Sequence, residues 1–249
     1  MTRRLLATLI ALIGTAAVVV AGLATFFPNE DQSTFEQAGP IGAVEIDVEA
    51  GRVELVAGEG SSARVTRTRR YLQGAPVVRE AMVGGVFRLE AQCRRFVTAG
   101  CRVDHRVEVP AGVTVRVRTE RGAVSVAGVT GLVEVDAGAG NVLLQGTRGP
   151  VRVDATAGRV EGEDLVAEYL DASTGAGVIR LTFAEPVGRV GLKSGAGDID
   201  VALPAVSGGY RVAAEAGAGR VDVDVEQNAG GSRAVIVSSG SGDIRVRTP

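Results

Sequence analysis

Tryptophan is missing from this chain, aromatic residues make up only 4% of it, and its 249 residues include one histidine, one lysine and two cysteines. Each shortage excludes something. A thick globular core leans on bulky rings, so a 45% hydrophobic content supplied mainly by Val, Ile, Leu and Ala points to a thin interior. One histidine and two cysteines offer three ligands of the kinds zinc favours, whereas a structural zinc site takes four. The net charge of −2 provides no strong global attraction to nucleic acid. The length accommodates one or two domains.

Glycine, by contrast, reaches 35 residues, and its placement is periodic. The last glycines of successive turns are Gly51, Gly122, Gly140, Gly158, Gly177, Gly197, Gly219 and Gly242, spaced by 71, 18, 18, 19, 20, 22 and 23 residues. Seven and five residues before each of these anchors, and two and four after it, the chain is aliphatic but for Gly162. Around Gly140 the four are Val133, Val135, Val142 and Leu144; around Gly51 they are Val44, Ile46, Val53 and Leu55. Gly219 has Val212, Ala214, Val221 and Val223, and Gly242 has Val235, Val237, Ile244 and Val246. A period of two on both sides of a turn is the strand signature, so each unit reads strand, turn, strand. The glycines of Gly138-Ala139-Gly140 and its relatives then serve tight corners. A phosphate cradle is excluded, because no helix follows and no Lys, Ser or Thr stands where a P-loop needs it.

One such unit buries too few aliphatic side chains to offset the entropy of ordering it alone. Stacked units share a core and a hydrogen-bond ladder. The expected fold is therefore all-β, a β-solenoid or β-helix-like stack of strand-turn-strand repeats of about 18–23 residues, preceded by an N-terminal transmembrane helix. Parallel stacking in register is the simplest arrangement for like units; an antiparallel meander is the alternative.

Four regions follow in order. Residues 1–27 form a signal anchor or transmembrane segment: Arg3 and Arg4 precede an uncharged run from Leu5 to Phe27. At ~1.5 Å per residue this run spans ~34 Å, enough for a ~30 Å hydrocarbon core. A cleaved signal peptide ending near Ala21 or Ala24, giving a secreted protein, is the other reading. The arginines place the remainder extracytoplasmic. No cysteine follows the run to carry a lipid. Residues 28–40, acidic and polar, read as a linker, and residues 41–121 as an N-terminal β region holding the first repeat and an insertion. Residues 122–249 form the repeat stack. From Ser61 to Arg121 there are 13 Arg against 5 acids, while the flanks are net acidic. That basic stretch either meets an anionic envelope polymer or lipid headgroups, or pairs with the acidic flanks.

Cys93 and Cys101 read as a disulfide in an exported chain. Zinc ligation together with His105, and a Cys-His nucleophilic pair, are the competing readings. Outward residues aligned by anchor put Asp200 beside Asp222 on adjacent rungs, with Asp198 and Asp224 close by, the one spot where calcium is conceivable. No catalytic cluster stands out, so no catalytic or cofactor-binding residue is assigned. The last unit, ending at Val246, Arg247, Thr248 and Pro249, leaves an edge strand for weak self-association at the C-terminal edge.

Units such as DAGAGNVLL, KSGAGDIDV, EAGAGRVDV and SSGSGDIRV behind a membrane segment resemble the bacterial putative-adhesin family of β-strand-repeat domains of unknown function. The resemblance covers Ile41 to Pro249 and implies a solenoid-like envelope protein. The expected function is a non-enzymatic, membrane-anchored extracytoplasmic binding or scaffold module. An envelope-sensing accessory protein that captures a protein partner is the second reading, and a β-helix enzyme acting on polysaccharide the third.

Overall fold

The computed structural model describes residues 28–72, 74–93 and 100–249; the membrane segment expected at Leu5 to Phe27 lies outside them. Among the described residues no helix is long and apolar enough to cross a membrane, and the regular elements are all strands. The chain enters on β1 (Asn29–Gln37), and the Gly51 unit follows as β2 (Ala43–Ala50) and β3 (Val53–Gly58). The arginine-rich stretch supplies β4 (Ala63–Tyr71), β5 (Val77–Val83), β6 (Val86–Gln92) and β7 (Arg102–Pro110). The remaining units follow as pairs: β8 (Thr114–Arg121) with β9 (Val124–Ala127), β10 (Val133–Ala139) with β11 (Val142–Gln145), and β12 (Val151–Ala157) with β13 (Val160–Leu165). Next come β14 (Tyr169–Ala176) with β15 (Ile179–Phe183), β16 (Arg189–Ala196) with β17 (Ile199–Ala202), β18 (Arg211–Ala218) with β19 (Val221–Asp224), and β20 (Ala234–Ser241) with β21 (Ile244–Arg247).

The two strands of each unit go to different sheets. Those before the anchor glycine enter a 10-stranded sheet of order β18-β20-β16-β14-β12-β10-β8-β2-β6-β5. Those after it enter an 11-stranded sheet of order β1-β4-β7-β3-β9-β11-β13-β15-β17-β21-β19. Pairing between units is parallel and in register, as in Val133↔Val151 and Val142↔Val160. Each unit is thus one rung of a two-sheet stack and not a hairpin, and the aliphatic faces of the two sheets meet in a thin core.

The four aliphatic positions around each anchor are buried in every unit except that of Gly219. At the one glycine among them, Gly162, a bulge brings Leu165 into the place a Cβ would take. A further inward column lies three residues before the anchor. It runs Thr119, Ala137, Ala155, Thr174, Ser194, Ser239, small because the two sheets converge there on the corner. Ser194 and Ser239 turn their hydroxyls to the carbonyls of Gly177 and Gly197, at 3.1 and 3.0 Å.

At the corners the backbone of one rung nearly touches the next. Gly140 sits at φ +150°, and a Cβ on it would overlap the carbonyl oxygen of Gly122. The same overlap recurs from Gly122 to Gly51, Gly158 to Gly140, Gly177 to Gly158 and Gly197 to Gly177. The 71-residue gap is therefore a gap in sequence alone. The intervening strands lie on the far side of the Gly51 rung, where β6 pairs with β2 and β7 with β3. There they form an extra rung whose corner is closed by the Cys93–Cys101 disulfide. Beyond it β4 and β1 add antiparallel to one sheet, and β5 to the other.

Three expectations need correction. The linker at 28–40 contains β1, which pairs along β4 from Asn29↔Tyr71 to Gln37↔Ala63. Its acids meet arginines (Glu30 to Arg70, 2.9 Å; Asp31 to Arg69, 2.6 Å), and Phe35 lies edge-on to Phe87. The last unit is not the end of the stack: β20 and β21 insert between the Gly197 and Gly219 rungs. The last two spacings, 22 and 23 residues, carry the chain past one rung and back, and the outer crossing is held by buried Tyr210, whose hydroxyl donates to the Pro204 carbonyl at 2.8 Å. This order buries the bulkier Val235, Val237, Ile244 and Val246 and leaves Val212, Ala214 and Val223 only partly covered. Asp200 and Asp222 are consequently not neighbours. Arg245 stands between them in register with both, so the like-charged pair imagined for calcium does not form.

Gly140→Ala should cost about 4 kcal/mol or prevent folding, since it combines strained φ with a backbone clash. Gly60→Ala, at φ +89° with nothing within 4 Å of the new methyl, should cost only about 1 kcal/mol. Urea unfolding midpoints of the two variants check the contrast.

Candidate functional site

The outward face of the 10-stranded sheet carries charges in rows, because in-register strands bring equivalent positions side by side at about 4.8 Å. One row reads Arg88, Glu45, Arg116, Glu134, Arg152, Asp171 across β6, β2, β8, β10, β12 and β14. Signs alternate at every step. Arg88 Nε lies 2.8 Å from Glu45, and Arg116 reaches Glu45 at 3.7 Å and Glu134 at 2.6 Å. Two residues along, the row is Glu90, Asp47, Arg118, Asp136, Asp154, an acid-rich line in which Arg118 pairs with Asp136 at 3.3 Å. Between the rows runs a shallow groove of about 440 Å³. It offers a partner charges that are mostly paired with one another, Asp47 being the one charged residue of the lining outside the ion pairs among the described residues.

The basic stretch is neutralised. Every described arginine between Ser61 and Arg121 is in an ion pair, and most partners come from the acidic flanks: Asp31, Glu30, Glu45, Glu49, Glu54, Glu134 and Asp136. Exposed pairs of this kind contribute about 0–1 kcal/mol each, so their effect lies in register and surface charge more than in stability. One pair was not foreseen. Arg67 on β4 and Glu80 on β5 bond across the end of the core, linking the two sheets. The signal was available in their parity, since each falls on the inward alternation of its strand.

Cys93 and Cys101 are joined to each other, which leaves neither sulfur as a thiolate for zinc or for nucleophilic attack. His105 lies in register with Val53, in the column that Val124, Val142, Val160 and Ile179 continue through the other rungs. It is 2% exposed, and neither ring nitrogen has a hydrogen-bond partner. Burial, helped by the nearby Arg67 guanidinium, lowers its pKa from 6.5 to about 4. Among the described residues no group of three or more His, Cys, Asp and Glu is placed to hold a metal ion.

The stack is unlike at its two ends. The β1/β4/β5 end is closed by Phe35, Val78 and Met82 packed on the core and by the Arg67–Glu80 pair. At the β18/β19 end Val221 is 43% exposed, with Val212, Ala214, Ala216 and Val223 half-covered.

Because His105 binds a proton more readily unfolded than folded, the unfolded state takes up protons between pH 6.5 and 4. Stability from this group is full above pH 6.5 and falls by about 3 kcal/mol as the pH drops through 4. His105→Val, the residue type of its column, should remove that slope, as measured by urea unfolding at a series of pH values.

The chain is similar in sequence to the model of the Toastrack DUF4097 family over residues 81–248. Among solved structures, a putative adhesin from Bacteroides fragilis NCTC 9343 shares the fold, with TM-score 0.53 and 12% identity over 88% of this chain and 97% of that one. A putative cell adhesion protein from Clostridium sporogenes ATCC 15579 aligns with TM-score 0.41 and 14% identity over 90% of this chain and 100% of that one. No curated protein matches. With two thirds of its length matched by one family model and the stacked two-sheet architecture in place, the chain belongs to the Toastrack DUF4097 family.

Proposed function

We propose that the chain is a non-enzymatic, membrane-anchored extracytoplasmic protein whose β stack presents the charged face of the 10-stranded sheet to a protein partner, as an adhesin-like binding or scaffold module. The observation that supports this reading most directly is the alternating row Arg88, Glu45, Arg116, Glu134, Arg152. A polyanion gains little from arginines already paired with carboxylates, whereas a protein surface of mixed charge exchanges pair for pair and reads the alternation. A binding role agrees with the name of the Bacteroides fragilis structure of the same fold, a putative adhesin, and the uncharged run from Leu5 to Phe27 supplies the anchor.

In the source cell the full chain should sediment with membranes, resist carbonate extraction and be digested by protease added outside the cytoplasmic membrane. Cross-linking from a photoreactive group at Glu134 should capture an envelope protein, and reversing Arg116 and Glu134 together should cut that capture about ten-fold while the fold survives. Tight retention on a polyphosphate column beyond physiological salt, lost on the same reversal, would instead assign the face to an anionic envelope polymer.

A further inference from the structure

The exposed rung at the end of the stack carries the features of a pairing edge. Arg211 donates its N–H to the Arg233 carbonyl at 2.8 Å, so the alternation of a parallel ladder turns the N–H and C=O of Val212, Ala214 and Ala216 off the free edge of β18. The side chains of those three residues line the half-covered end of the core. Outward on the same strand stand Arg211, Ala213 and Glu215, whose neighbours on β20 are Ala234, Ile236 and Ser238. Neither charge has an opposite charge beside it there. These residues are also symmetric about Ala213: a positive side chain two positions before it and a negative one two positions after.

We propose that β18 pairs antiparallel with β18 of a second copy about a two-fold axis through Ala213, forming a closed end-to-end dimer. Val212 of each copy then exchanges ladder hydrogen bonds with Ala214 of the other. Arg211 of each copy lies directly opposite Glu215 of the other in a non-hydrogen-bonded pair, where cross-strand side chains approach most closely. The apolar ends of the two cores meet and lose their contact with water. On the other sheet the same axis turns β19 toward its copy, and the outward Asp222 and Asp224 repel their counterparts, which keeps the association weak. At the far end, by contrast, an antiparallel self-pairing of β1 about Ser33 sets Glu30 against Glu36.

The test uses the full-length chain in detergent. Ala213→Cys, oxidised gently, should give a covalent dimer on a non-reducing gel, whereas Ala81→Cys on β5 at the opposite end should not. By sedimentation, Arg211→Glu and Glu215→Arg should each weaken the association about ten-fold, and the double reversal should restore it. Circular dichroism confirms that each variant keeps its strands. Equal cross-linking of Ala213→Cys and Ala81→Cys, or failure of the double reversal to recover what the single reversals lose, overturns the proposal.

Discussion

The close passage of backbone over backbone at the anchor glycines is the constraint on which the rest of this structure depends. Every corner N–H except that of the outermost Gly219 bonds to the neighbouring rung, as Gly122 N–H does to the Ala139 carbonyl at 2.9 Å, and no Cβ fits between successive anchors. The corners therefore lie directly over one another, and once they do, the strands leaving them have a single register. Every column follows from that: the aliphatic positions, the small residues three before the anchor, and the position just after it, polar in most rungs. Asn141, Asp198 and Asp243 at that last position each accept the N–H of the equivalent residue on the next rung, which extends the corner ladder to side chains.

A fixed register also converts charge sequence into charge geometry. Residues scattered along the chain become neighbours at strand spacing, and the arginines between Ser61 and Arg121 face the acids of strands that precede and follow them. The same rule makes sense of the reordered last rungs. With β21 inside, Arg245 lies between Asp200 and Asp222 and Arg247 reaches Asp200 at 3.1 Å, so like charges are separated and the bulkier aliphatics are covered. The weaker Gly219 unit, with two alanines among its inward residues, is left as the outermost rung.

Most of the core could be read from residue order, because burial in a strand follows a local alternation and the anchors give it phase. The position three before the anchor is less legible because it mixes Ala with Ser and Thr, whose hydroxyls break the apolar pattern. The linker reading of 28–40 failed for a related reason: Asn29 to Gln37 has the composition of a tether, and only the arginines of β4 across from it make a strand of it. His105 was read for its chemistry, while its parity with Val103 and Val107 already placed it in the core.

What the sequence determined by itself was the unit: its two strands, its corner, its inward faces and the necessity of stacking, all set by steric and hydrophobic rules that act within about twenty residues. What only the tertiary structure decided was which unit lies on which. Sequence neighbours are spatial neighbours from Gly122 to Gly197, but the Gly51 rung joins them across 71 residues and the Gly242 rung slips inside the Gly219 rung. The reason is physical. Anchored corners make all rungs interchangeable as far as backbone pairing goes, so their order is settled by the contacts of whole rungs, the volumes they bury and the charges they set side by side. Both the neutral face and the open end of this protein are consequences of that order.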